Sequence, residues 1–183
     1  MPPRVKVSRE EIIDTAVSIV RESGAQAINA RTLASLLNCS TQPVFSNFAS
    51  MDELRLAVVE KADALCNEYI QEEIASKKYP PYKASGMAYI RFAKEEKELF
   101  KLLYMRDRSG EEIPPFSSEM STIVQEATGL SKEKAERFHL EIWAFVHGIA
   151  TMLATGYLSL DLDFVSSMIT DAYQGMRKQY GMG

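Results

Sequence analysis

Cysteine is scarce in this 183-residue chain: Cys39 and Cys66 are the two present. They are too few and too isolated for a disulfide framework or a cysteine-rich zinc motif, and are expected to be inert buried thiols. Histidine is equally scarce, with His139 and His147 alone. That leaves little for acid–base chemistry or for a metal site. No HExxH, GxSxG or CxxC motif occurs, and no phosphate-cradling glycine loop. No catalytic residue, cofactor or metal is therefore expected, and the chain does not read as an enzyme. The opening MPPRVKVSREE lacks an apolar signal segment. The most apolar stretch, Ile142 to Leu158, is short and is interrupted by His147 and two glycines, which makes it a poor membrane span. A cytoplasmic protein without a membrane partner is the expectation.

Breakers are also few, with nine glycines and seven prolines, so long helices are allowed. Hydrophobic residues make up 46% and charged residues 25%, which suits a globular chain that buries a substantial core. The net charge of -4 is not that of a protein coated in nucleic acid. Its distribution is uneven. Residues 1–50 carry five basic and four acidic side chains, so the acidity lies in the remainder. Arg4, Lys6 and Arg9 cluster ahead of the first apolar periodicity.

That periodicity opens on Ser8-Arg-Glu-Glu11, a capping box, and continues as Ile12, Ile13, Ala16, Val17, Ile19 and Val20. The spacing predicts a helix over 8–23, stopped by Gly24. Asn29 is placed to cap a short second helix over about 30–37, with Leu33, Ala34, Leu36 and Leu37 as its apolar face. Asn38 can adopt the left-handed backbone that ends it. Ser40 is positioned to cap a third helix, with Pro43 in its first turn and Val44, Phe45 and Phe48 as apolar contacts. Ser50-Met-Asp-Glu53 reads as a second capping box, opening a long helix over about 51–77 that closes at Pro80-Pro81. Further helices are predicted near 82–94, 96–105, 117–128, 132–156 and 162–178. Breakers such as the Pro114-Pro115 pair, Gly129 and Gly156 punctuate the joints. No stretch shows strand alternation, so the fold expected is all-α with about nine helices.

Two short helices joined at Asn38-Cys39, behind a longer supporting helix, have the form of a helix-turn-helix. A helix fits the major groove and brings the side chains near its start to base edges. Thr41, Gln42, Ser46 and Asn47 are the outward positions of the third helix, and amides can bond adenine in bidentate fashion. Arg31 and Thr32, with Arg4 and Lys6, are candidate phosphate contacts. The same pattern also fits an ordinary helical hairpin with a polar outer face.

The run from Ile12 to Leu54 resembles the DNA-binding head of TetR-type transcriptional regulators. Ile13, Ala16, Gly24, Leu33-Ala34, Cys39-Ser40, Val44-Phe45, Asn47-Phe48, Ser50 and Glu53-Leu54 carry the resemblance in order and spacing, without a gap. It implies a three-helix head over 1–54, and a helical body over 55–183 that binds an effector and dimerises. It adds Pro43, Phe45 and Met51 to the DNA-facing set. Family members commonly carry glycine at the place of Asn38, tyrosine at Phe45 and lysine at Met51. The last two differences remove a phosphate-binding hydroxyl and a cation. The partners implied are a pseudo-palindromic duplex operator, a second copy of the chain and a small effector.

In the body, Trp143-Ala-Phe-Val-His147-Gly148 is similar to a Trp-His-Gly signature of one subgroup of the family. The predicted eighth helix is apolar nearly all round, so cover is needed on both sides. Phe145, Ile149 and Met152 of this helix, with Phe164, Met168, Ile169, Ala172 and Tyr173 of the last, are the candidate dimer contacts. They could equally pack within one chain. Candidate effector contacts are Cys66, Tyr69, Tyr89, Phe92, Phe100, Tyr104, Phe116, Trp143 and His147. Walls of that kind suit a hydrophobic or aromatic small molecule. A helical protein–protein adaptor without DNA affinity would use the same stripes.

Overall fold

The computed structural model describes residues 7–107 and 118–182. Among these residues there are nine α-helices and no strand. The helices are α1 (Arg9–Ser23), α2 (Ala30–Leu36), α3 (Gln42–Asn47), α4 (Met51–Ser76), α5 (Pro81–Glu95), α6 (Lys97–Tyr104), α7 (Ser118–Thr128), α8 (Lys132–Ala154) and α9 (Leu162–Gln179). A single 3-10 turn, Ala25–Ala27, follows α1. The all-α expectation is borne out. No described helix is long and apolar enough to cross a membrane.

The contacts divide the chain into two compact units. The first holds residues 1–67 and 96–106, and the second holds 68–95 and 107–183. Helix α4 contributes Met51–Asn67 to the first and its last turns to the second.

In the first unit α1 is the organising element, packed by α2, α3 and α6. Its Ser8 cap forms as the sequence predicts: the Glu11 amide donates to Ser8 Oγ at 3.1 Å, and the Ser8 amide donates to Glu11 Oε2 at 2.7 Å. Ile12, Ala16, Val17, Ile19 and Val20 are buried along one face. Leu99, Phe100 and Leu103 of α6 join this core, and the Arg21 guanidinium grips Glu96 through two bonds of 2.8 and 2.9 Å.

Helix α2 starts on Asn29, whose Oδ1 accepts the Arg31 and Thr32 amides at 3.1 and 3.0 Å. It ends in a Schellman turn. The Cys39 amide donates to the Ala34 carbonyl at 2.9 Å, the Asn38 amide to Ser35 at 3.3 Å, and Asn38 sits at φ +50°. The Asn tolerates this backbone region better than most side chains, as the sequence suggested.

Two capping expectations need correction. Thr41, not Ser40, is the N-terminal boundary residue of α3, and its side chain makes no capping bond. At the head of α4 the Glu53 amide does donate to Ser50 Oγ, at 3.1 Å, but the Glu53 carboxylate takes the Ala49 amide at 2.7 Å instead of that of Ser50. The reciprocal half of the box is displaced by one residue.

In the second unit the central helix is α5, in contact with α7, α8 and α9. Nine of its residues are buried, from Tyr82 to Ala93. This corrects the emphasis of the sequence, whose most apolar helix is α8. Helix α8 buries Ala135, Phe138, Ile142, Val146, Ile149, Ala150, Leu153 and Ala154, and leaves Leu140, Trp143 and Ala144 open. An aromatic cluster closes the α5, α8 and α9 junction: Phe138 meets Tyr173 and Tyr180 edge-on at 5.6 and 5.3 Å.

Candidate functional site

The first unit presents a compact outward face built by α2, the Schellman turn and α3. Val44 and Phe48 turn inward and are fully covered, which fixes the roll of α3. Its other side therefore faces solvent: Gln42 and Ser46 are exposed, and Phe45 is 54% exposed. Of the three apolar contacts expected of α3, Val44 and Phe48 are covered and Phe45 is mostly outward, in keeping with its place in the DNA-facing set. Thr41 and Pro43 are half-buried, as is Thr32, while Arg31 is exposed. Arg4 and Lys6 lie outside the described residues.

The outward residues differ in how free they are. The Ser46 hydroxyl bonds back to the Gln42 carbonyl at 2.8 Å. The Asn47 amide nitrogen donates to the Pro43 carbonyl at 2.8 Å and to the Val7 carbonyl at 3.5 Å. Asn47 is thus half-buried and engaged in holding the end of α3. Gln42 carries no such tie among the bonds of this face. Met51 is half-buried at the start of α4, where Asp52 and Glu53 make the first turn acidic.

Arg9 organises the same end of the unit. Its Nη1 donates to the Asn47 carbonyl at 2.6 Å and to Glu53 Oε1 at 2.9 Å, and its guanidinium lies 4.0 Å from the centre of the Phe48 ring. One side chain ties the start of α1 to the end of α3 and the head of α4. The Ala49 amide and Arg9 together hold the Glu53 carboxyl below its ordinary range. Sequence patterning placed Arg9 among the basic residues ahead of the first apolar periodicity; its long-range ties are invisible there.

The second unit carries two tyrosine–histidine bonds. Tyr82 Oη is 2.9 Å from His139 Nδ1, and Tyr89 Oη is 2.8 Å from His147 Nδ1. The pairs follow the same order along α5 and α8, so these helices run side by side in one direction. Burial lowers the pKa of His139 to about 4 and also lowers that of His147, so both rings are neutral near pH 7. Trp143 stacks on His147 with ring centres 4.7 Å apart and planes 16° from parallel. No Tyr–His pairing is read from the sequence; the seven-residue step from Tyr82 to Tyr89 and the eight-residue step from His139 to His147 are the spacing that such rungs leave in the sequence.

The nine candidate effector residues fall into two groups. Cys66, Phe100 and Tyr104 belong to the first unit, where Cys66 Sγ lies 3.5 Å from Tyr104 Oη and the Phe100 and Tyr104 rings are 5.1 Å apart. Burial pushes the Cys66 thiol up to about 11, so it is not a reactive thiolate. Tyr69, Tyr89, Phe92, Trp143 and His147 belong to the second unit, with Tyr69 edge-on to Phe92 at 5.4 Å. Phe116 lies outside the described residues. Among the described residues no group of three or more His, Cys, Asp or Glu side chains is placed to hold a metal ion.

Of the candidate dimer contacts, Ile149 and Ile169 are covered by their own chain, at 3% and 5% exposure. These two pack within their own chain, the alternative that the sequence left open. Phe145, Met152, Met168, Ala172 and Tyr173 are half-buried, and Phe164 is exposed. The exposed large apolar residues of α8 are Leu140 and Trp143, of which Trp143 is a candidate effector contact and Leu140 was not singled out by the periodicity.

Residues 82–172 match the family model described as the tetracyclin repressor-like C-terminal domain. Among solved structures, a protein with unknown function from Rhodococcus sp. RHA1 aligns with a TM-score of 0.74 at 23% identity, covering 96% of this chain and 98% of that one. At that identity the likeness speaks to the fold alone. No curated protein matches the chain.

Proposed function

Since the chain belongs to the TetR-type regulator family through its C-terminal domain, we propose that it reads double-stranded DNA in a sequence-specific manner as a homodimer. The observation that carries this reading is the roll of α3. Val44 and Phe48 are buried, and the side left open is a groove-sized surface bearing Gln42, Phe45 and Ser46. The Schellman turn at Asn38 sets the angle between α2 and α3. A helical adaptor would have no use for such a face.

In this reading residues 1–54 form the reading head and residues 55–183 the sensing and dimerising body. Gln42 is the leading candidate for a base contact, Arg31 for a phosphate contact, and Asn47 supports α3 from behind. Two heads in a two-fold dimer address half-sites of a pseudo-palindromic operator, about one DNA turn apart, roughly 34–36 Å. The dimer contact is assigned to the open side of α8 and the start of α9, where Leu140, Trp143 and Phe164 need cover.

The body is proposed to take a small hydrophobic or aromatic effector beside Tyr89, Trp143 and His147, an aromatic group of side chains that includes a hydrogen-bonded Tyr–His pair. Repression released by effector is the regulatory mode assigned. An effector shifts DNA affinity only by its differential affinity for the two forms, typically on the order of 1–3 kcal/mol. Binding of Gln42→Ala to a duplex selected by the wild-type chain tests the reading. A loss of about 1–3 kcal/mol confined to particular base pairs supports it, whereas unchanged affinity and preference would remove α3 from the interface.

A further inference from the structure

Phe45 is the one large apolar side chain on the open face of α3. Slightly over half of its surface meets solvent, while Val44 and Phe48 on either side are fully covered. Its neighbours on that face, Gln42 and Ser46, are polar. No ring contact or cation places Phe45 in a satellite cluster among the described residues, whereas the adjacent Phe48 ring is capped by Arg9. Packing within the chain therefore leaves more than half of Phe45 uncovered.

Hydrogen-bonding groups line the floor of the major groove, with one apolar exception, the C5-methyl group of thymine. A phenyl ring between Gln42 and Ser46 has no hydrogen bond to offer a base edge. It can bury surface only against that methyl or against the sugar–phosphate backbone. The side chain is rigid, with two torsions, so little freedom is lost on docking. α3 carries no Lys or Arg, so its contribution to affinity cannot come from charge.

We propose that Phe45 is a specificity-determining residue that selects thymine, through its methyl group, at one position of each half-site. The inference rests on the reading of α3 as the groove-entering helix. It adds the kind of base that the apolar part of the face selects.

The test replaces each thymine of a selected duplex, one at a time, by deoxyuridine. This change removes the methyl and leaves every hydrogen-bonding group in place. The full-length wild-type chain is expected to lose about fourfold in affinity at one thymine per half-site, the factor that goes with burying one methyl-sized group. Phe45→Ala, checked for unchanged helicity and dimer state, is expected to bind the two duplexes equally. Phe45→Leu is expected to retain part of the discrimination. A flat scan with the wild-type chain, or a scan that Phe45→Ala leaves unaltered, would overturn the assignment and leave Phe45 packing on sugar. Failure of the underlying reading looks different: the folded wild-type chain would then select no duplex at all.

Discussion

Trp143 lies parallel to His147, 4.7 Å away, and is the only tryptophan in the chain. Its emission therefore reports the charge of one imidazole. Protonated imidazole accepts an electron from an excited indole and quenches it; the neutral ring does so far less. Burial holds the His147 pKa below 6.5. Fluorescence is expected to be flat from pH 8 to 7 and to fall with a midpoint below 6.5. His147→Gln should abolish the step. A midpoint above 6.5 would mean that a carboxylate, not burial, dominates the site.

His139 makes a prediction about stability. Its folded pKa of about 4 lies below the unfolded value of 6.5. The unfolded chain therefore takes up a proton first as pH falls. The stability contributed by the neutral ring is fully present above pH 6.5 and is lost progressively towards pH 4. For a partly exposed ring the loss is on the order of 1–2 kcal/mol. Denaturant melts at pH 7 and pH 5 should show it, and His139→Asn should reduce the difference. Equal pH dependence in the variant would assign the effect elsewhere.

The turn between α2 and α3 can be probed at Asn38, held at φ +50°. Asn38→Gly removes the Cβ strain and is expected to be neutral or to stabilise by up to about 1 kcal/mol. Asn38→Val should destabilise by about 1–2 kcal/mol, because a β-branched residue resists this region. Thermal melts of the two variants rank them; a tolerated valine would mean that the Schellman turn does not persist.

Charge offers a further check. α3 has no cation and Arg9 is committed to Glu53 and the Asn47 carbonyl. Arg31 is the exposed cation of this face among the described residues. In the proposed dimer, Arg31, Arg4 and Lys6 of two copies would make about six phosphate contacts, so the slope of log affinity against log salt should be about -5 or shallower. Arg31→Ala should reduce it by about two in the dimer. A slope near -10 would show contacts from elsewhere on the chain.

What could be read from the sequence follows physical range. The Ser8 box, the Asn29 cap and the Asn38 turn depend on residues within five positions of one another, and each was legible. So was the all-helical class, through the periodicity of α1, α8 and α9. The Arg9 ties to Asn47 and Glu53 span about forty residues and left no local trace. The roll of α3 was missed in part for the same reason. Val44, Phe45 and Phe48 are equally apolar in sequence, and only the packing of α1 and α2 decides which two are covered. In the body, apolarity alone favoured α8 as the enclosed helix, yet α5 with its small alanines and Ser85 occupies the centre.

In the proposed function α3 is the reading helix of a two-fold dimer. The decisive experiment is selection from a random duplex pool by the purified chain at low salt. Two related half-sites in inverted orientation are expected to be enriched, and both should lose enrichment when Gln42 is replaced by alanine. A folded chain that enriches no sequence, or one that enriches an unpaired site bound by a monomer, would contradict this reading.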